Sequence, residues 1–567
     1  MPQSLSEELT TPDPGSPSQR AAADPRHSLS TASLLATLVL KEVHDLVLTL
    51  RFTVGTVIAV ILAVLAAYIG SLDYNARLDS YQTKVKLNRE GLSRVKVYSF
   101  LNPTLVRPPE PLSILNHGLE GRVGTDFEAE VDVENTEAHG ENRGNEYLAV
   151  FSEVDLTVIV AVILGLLALL FTFDAVCGER EAGTLKLMAT YSLARWQILL
   201  GKFWGAWVTL MLPTALACIA SLLVMGFTAH VQFGAQEVSR IGLILIFYAL
   251  FLSLMLLVGL VISSFVQRSS IALVFATFVW FFFVTIVPNL ATMLPDFVGK
   301  RAGVYETARA GLRQTDREQE AAVRAVKDPR DGFTFHYAIN NNWGSLTEFE
   351  CNYGDRTFYD QLRQFFGQVI PLSLRFAARR ADLWREYIRY RYRQAALARG
   401  LSFFSPTAVF KNTLAYASGT SEADYTHFID LATQYRRTFL AYLQRKDAFN
   451  SRRWFTPDPP DQDWSWTVIM LGKTAEEFEA SGAKPDDVVN RMAHEPAFFS
   501  KFEQFEKGHM SDALLRLPLG DLPAFNYGRL PTGAAVVKAA PEISYLLVLN
   551  LVLFLVAFVR FVHYDVR

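Results

Sequence analysis

Residues 241–267 read Ile-Gly-Leu-Ile-Leu-Ile-Phe-Tyr-Ala-Leu-Phe-Leu-Ser-Leu-Met-Leu-Leu-Val-Gly-Leu-Val-Ile-Ser-Ser-Phe-Val-Gln, with no Asp, Glu, Lys or Arg. A helix needs about 20 apolar residues to cross a hydrocarbon core about 30 Å thick. The same reading holds for Phe52 to Leu72, Leu156 to Phe173, Phe203 to Ala229, Ile271 to Leu294 and Ile543 to Val559. One charge at the centre of such a helix costs roughly 2.5–3.5 kcal/mol on insertion scales. Six uncharged runs therefore predict an α-helical polytopic membrane protein with six transmembrane helices.

Composition agrees with this. Half of the 567 residues are hydrophobic, concentrated in those runs, and the mean hydropathy is +0.17. A formal net charge of -3 implies no nucleic-acid partner. Cys177, Cys218 and Cys351 give no disulfide framework. Residues 1–30 are rich in Pro, Ser and Ala and read as a disordered tail, without the short apolar core of a cleavable leader.

An even number of spans puts both termini on one side. Arg180, Lys186, Arg195 and Lys202 lie between the second and third spans, Arg268 follows the fourth, and Arg560 and Arg567 follow the sixth. The opposite short loop, Thr228 to Arg240, offers only Arg240. The positive-inside rule then makes both termini cytoplasmic. Arg77, Lys300 and Arg301 oppose this, but they begin long loops, where the rule weakens. The expectation is a multi-pass protein of the cytoplasmic (inner) membrane with two periplasmic or extracellular segments, 73–153 and 295–542.

The first external segment reads as small and α/β-like, with strand-like alternation in Arg94 to Phe100 and Phe127 to Val133. The second is large and helix-rich. In it Phe428, Leu431, Tyr435, Phe439 and Tyr442 mark one helix face, and Gly419 and Thr420 just upstream suit a break and a cap. Residues 31–51, before the first span, read as an amphipathic interfacial helix; the alternative is an extension of that span. The remaining divisions are spans two to five within 154–294, and the last span with its cytoplasmic end, 543–567.

The most informative polar stretch is the loop 177–202. Glu179, Arg180 and Glu181 precede a break at Gly183; Thr184 can cap the helix that follows, with Leu185, Leu187 and Met188 as its apolar patch. Such an element either docks a soluble partner or is a plain interfacial connector.

Glu179-Arg180-Glu181, then Gly183-Thr184-Leu185, then Gly201-Lys202 resembles the coupling-helix signature of ABC type-2 permeases. The resemblance implies that Glu179, Arg180, Glu181, Gly183, Thr184, Leu185 and Leu187 contact an ATP-binding subunit. Pro108-Pro109-Glu110-Pro111-Leu112-Ser113-Ile114-Leu115 with Gly118-Leu119-Glu120-Gly121-Arg122-Val123-Gly124 resembles permeases related to nitrous-oxide-reductase maturation and gliding motility. Phe404-Ser405-Pro406 with Ser418-Gly419-Thr420 resembles a branch with enlarged external domains. The family implies a cytoplasmic ABC ATPase dimer, which holds ATP and Mg, and a second permease, identical or related. It also implies export or extraction of a substrate.

Site chemistry points away from catalysis in this chain and requires no cofactor of its own. Gly472-Lys473-Thr474 has the tail of a phosphate loop, but Thr467 replaces its first Gly. His494-Glu495 begins a zinc-helix pattern that Phe498 breaks, leaving no metal site. Arg379, Arg385, Arg389 and Arg393, within a longer arginine-rich stretch, form either an anion-binding face for lipid or polymer or a solvated helix paired with Asp382 and Glu386. Pro288-Asn289 interrupts the fifth span as a gate or a structural kink. Two functions compete: a permease moving cargo, and a mechanotransmission subunit whose external domain regulates an envelope protein. A membrane sensor is weaker, since no cytoplasmic signalling domain is read.

Overall fold

A computed structural model describes residues 31–140, 155–184, 194–231, 233–291, 303–330, 339–343, 349–352, 356–458, 480–482, 500 and 515–563. Gly472, Lys473, Thr474, His494, Leu185 and Leu187 lie outside the described residues. The chain is mostly helical, and six helices are long and apolar enough to cross a membrane.

α1, Thr31–Val47, ends before Thr49, whose side chain accepts from Phe52 N and starts α2, Leu50–Arg94. At 1.5 Å per residue the 45 residues of α2 extend about 65–70 Å, more than twice a bilayer core. The first span is therefore the near half of a rod that continues into the segment beyond. α3, Leu156–Glu181, carries a π-turn at Val160–Leu164 and a short non-helical turn before Cys177. α4 is Arg195–Thr228, α5 Ala235–Phe265 and α6 Ser269–Ala291; α1 and α2 both pack along α4. Small buried residues Ala59, Ala63, Ala66 and Ala67 let α2 approach closely, and Ser221 Oγ on α4 donates to Ala63 O at 3.3 Å.

α6 is not interrupted at Pro288. A π-turn at Phe282–Ile286 ends two residues before it, and the helix runs on to Ala291. Proline lacks an N–H and crowds the carbonyl four residues back; the extra residue in the turn absorbs both.

The large segment begins with α7, Val304–Arg324. It adds the two-stranded pair β3, Ile339–Trp343, and β4, Phe349–Asn352, then the 47-residue α8, Arg356–Ser402. α9, Pro406–Ser418, about 20 Å long, follows directly. It packs between the spans: Phe410 stacks on Phe251 of α5 with centroids 4.1 Å apart, and Ser405 Oγ donates to Phe283 O in the α6 π-turn at 2.6 Å. α10, Glu422–Arg445, follows, and a short helix α11, Thr532–Lys538, leads to the last span, α12, Ala540–Val562.

Described residues of both long segments between spans build one core. Leu101, Leu105 and Phe127 pack with Phe349, Phe366, Phe428, Phe439, Trp454 and Phe455. α10 buries Phe428, Tyr435, Phe439 and Tyr442, as its periodicity predicts, while Leu431 is half-buried and Ala432 takes the fully buried place. Two details correct the sequence reading. Arg94 to Phe100 is the end of α2 and a 3-10 turn, and among the described residues of this segment the paired strands are β1, Thr104–Val106, and β2, Asp126–Glu128, so that only the start of Phe127 to Val133 is strand. Gly419, at φ 79°, closes α9, and Ser421 rather than Thr420 caps α10. Cys351 is fully buried in the shared core.

Candidate coupling site

At the end of α3 the segment Cys177–Glu181 is a single helical turn. The preceding break leaves backbone donors, which Ser263 of α5 satisfies: its Oγ accepts from Val176 N at 2.9 Å and Cys177 N at 3.2 Å. Arg51 Nη1 of α2 pairs with Asp174 at 3.0 Å in the same turn. Gly183 ends the turn in the left-handed region at φ 73°, its N–H donating to Arg180 O at 3.1 Å. A Cβ at Gly183 would meet nothing within 4 Å, so the requirement for glycine is purely conformational. The Thr184 hydroxyl donates back to Glu179 O at 3.2 Å, and the residues it is expected to cap lie outside the described residues.

The carboxylates of this turn reach two other helices directly and a third, α1, through Lys202. Glu179 Oε1 lies 2.6 Å from Lys202 Nζ of α4, and the same ammonium lies 3.2 Å from Glu42 Oε1 of α1. Lys202 is only 4% exposed, and among the described residues these two acids meet its charge. Glu181 Oε2 accepts from Ser269 Oγ, the first residue of α6, at 2.5 Å. Arg180 is half-buried beside them.

Sequence reading counted Lys202 among the orienting charges and in the coupling signature but did not pair it with Glu179, and it missed Glu42. The available signal was Gly201-x-x-x-Gly205 on α4. A Cβ at Gly205 would stand 2.5 Å from Glu42 Cβ and 3.3 Å from Val39 O, and one at Gly201 would stand 3.0 Å from Leu38 Cβ. The two glycines flatten α4 so that α1 can lie against it and bring Glu42 to Lys202.

The two far-side motifs meet at the other end of the spans. Leu119 N donates to Thr420 O at 2.9 Å, Asn116 Nδ2 to Ser418 Oγ at 3.0 Å, and Gly118 leaves no room for a Cβ against Thr420. Arg107 and Glu120 pair at 3.0 Å, both buried. Glu120 also holds Arg77 of α2 at 3.2 Å, and Arg77 holds Asp73 at 2.8 Å. Arg529, ahead of α11, bridges Glu110 at 3.3 Å and Glu237 of α5 at 2.8 Å. Arg240 of α5 donates to Leu530 O at 2.6 Å, and its guanidinium approaches Gly419 so closely that a Cβ there would lie 2.4 Å away. Burial pushes the Glu110 carboxyl up to about 7, against the pull of Arg529, Arg107 and Arg240. Arg77 is thus paired with carboxylates within the fold, and Arg240 is buried against the Leu530 carbonyl.

The basic helix α8 is largely paired, mostly with other elements. Arg379 pairs with Glu318 of α7, Arg385 with Glu134 and with Asp382 at 2.6 Å, and Arg391 with Glu137 at 3.0 Å. Arg389 and Arg393 are exposed and have no ion pair among the described residues. Near Pro288, Asn289 Nδ2 donates to Thr285 O at 2.8 Å. No group of His, Cys, Asp and Glu among the described residues could hold a metal ion.

A family model described as an ABC-2 family transporter protein matches residues 36–566. Over 137 residues the chain is 36% identical to a probable ABC transporter permease protein NosY of Pseudomonas aeruginosa, covering 23% of this chain and 47% of the relative. Over 129 residues it is 39% identical to the protein of the same name from Stutzerimonas stutzeri, covering 22% and 45%. The chain thus spans about half the length of the curated relatives it matches.

Proposed function

This chain belongs to the ABC-2 transporter family, and from that premise we propose that it is the membrane-spanning permease subunit of a transporter whose ATPase is a separate polypeptide. The observation that carries the reading is the turn Glu179–Glu181, tied by side chains to α1, α4 and α6 at once. A partner that displaced this turn would move three helices together. In this reading both termini and the turn face the cytoplasm, where an ATPase dimer binds, and the second α3–α6 set comes from another permease. Pro288 and Asn289 are the place at which α6 would yield as a gate. Arg389 and Arg393 are the part of α8 open to an anionic ligand. The chain hydrolyses no ATP itself and serves export or extraction of a substrate.

One observation favours the second reading, mechanotransmission. α2 runs unbroken from Arg51, beside the coupling turn, to Leu92, which packs on the external core. A rigid rod of that length carries displacement without any cargo path.

The test is Glu181→Lys and Gly183→Val in the co-purified complex. Lys reverses the charge that holds Ser269, and Val is strained at φ 73°. ATPase retention or permease-stimulated ATP turnover should fall at least fivefold, with normal membrane abundance. Normal assembly and turnover in both variants would remove the docking assignment.

A further inference from the structure

The ionic cluster around Glu110 lies at the opposite end of the spans from the coupling turn. It joins five separated pieces of chain: the middle of α2, the stretch 107–120, the start of α5, the end of α9 and the approach to α11. With Glu110 ionised its charges balance, four arginines (77, 107, 240, 529) against four carboxylates (73, 110, 120, 237). Arg107, Glu110, Glu120 and Arg240 are each no more than 4% exposed. Burying ions in this way is a poor source of stability, because well-packed apolar residues of the same volume do as well or better. What such a cluster does provide is a single geometry, since any displacement strands a charge.

The location gives that geometry a use. Glu110 and Glu120 belong to the segment that continues through Phe127 into the external core. Arg240 and Glu237 belong to α5, and Arg529 stands two residues before the proline that opens the α11–α12 approach. Arg529 touches both sides, Glu110 on one and Glu237 on the other. We propose that this cluster is the joint that makes the external core move with α5 and α12, and that Arg529 is its positioning residue. The proposal rests on the coupling reading above and adds where the motion leaves the membrane.

The groups facing Glu110 are Arg107 and Glu120 on its own segment, Tyr74 and Arg77 on α2, Glu237 and Arg240 on α5, and Tyr527 and Arg529 ahead of α11. With Glu110 titrating near 7, the joint loses its central negative charge as pH falls from 8 to 6.

The experiment uses the full chain co-purified with its ATPase, in nanodiscs, with ATP and Mg as the probe. The native cysteines are all buried, so labels attach to introduced ones. Exposed Phe227 and Thr438 report the external core against α4; exposed His44 and Arg268 report the coupling side. In the unaltered joint both distances shift with nucleotide. Arg529→Met should reduce the Phe227–Thr438 shift at least threefold and leave the His44–Arg268 shift intact, and Arg529→Lys should restore more than half of it. The Phe227–Thr438 shift should also fall at least twofold from pH 8 to pH 6, and Glu110→Gln should abolish that dependence.

A full Phe227–Thr438 shift in Arg529→Met overturns the joint. If that variant does not accumulate, an unchanged shift between pH 8 and pH 6 overturns it. A coupling-side shift with no external shift before any joint substitution also overturns the joint and leaves the coupling reading standing. No shift at either pair removes the coupling reading, and the joint falls with it.

Discussion

Replacing Lys202 by methionine removes a buried cation from between two carboxylates while keeping most of its volume. Glu179 and Glu42 lie 2.6 and 3.2 Å from the ammonium and are 18% and 16% exposed, so water replaces little of what is lost. A stranded carboxylate limits its own penalty by taking up a proton. That costs about 1.4 kcal/mol for each pH unit above the ordinary glutamate range, so the ceiling per carboxylate is about 4 kcal/mol at pH 7 and about 2 kcal/mol at pH 5.5. Breaking a buried pair typically costs 3–5 kcal/mol, in the same range. The expected result is a thermal midpoint for Lys202→Met, in detergent, that falls further below the parent at pH 8 than at pH 5.5. Adding Glu42→Gln and Glu179→Gln should recover most of the loss, because neutral groups are no longer stranded. A penalty that is independent of pH, or that survives removal of both charges, would refute the triad as an electrostatic unit.

Two further outcomes follow from single contacts. Gly205→Leu drives a side chain into Glu42 Cβ and the Val39 carbonyl; backbone cannot swing aside, so α1 should lift from α4 at about 1–3 kcal/mol, seen as faster amide exchange over 34–47. Glu110, raised from 4.5 to about 7, stays protonated in the fold while the unfolded chain releases its proton. Stability should therefore fall as pH rises from about 4.5 to about 7, by on the order of 3 kcal/mol, and level off above. Glu110→Gln should flatten part of that slope in a pH series of thermal midpoints. Glu130, likewise raised to about 7 by burial and by Glu128, keeps the remainder.

The amino-acid sequence by itself determined the six spans, since an uncharged run of 20 or more residues has one favourable solution in a bilayer. It also determined the buried face of α10, because helical spacing sets which residues share a side. The requirement for a turn at Gly183 was legible for a similar reason, as only glycine takes φ 73° without strain. These are local facts, set by neighbours along the chain.

Only the tertiary structure decided what those elements touch. The continuation of α2 beyond the membrane was hidden because its outer half, Asp73–Arg94, is polar and lacks the apolar signal that marks a span. The packing of α9 among the spans was hidden because 13 residues are too short to cross a bilayer and read as ordinary polar-segment helix. Lys202 pairs with Glu42 across 160 positions, and Asn116 with Ser418 across 302. Charge and spacing along a chain do not encode such pairs. They exist because α1 lies in the groove made by Gly201 and Gly205, and because Gly118 lets one backbone press against Thr420, which only the folded chain brings together.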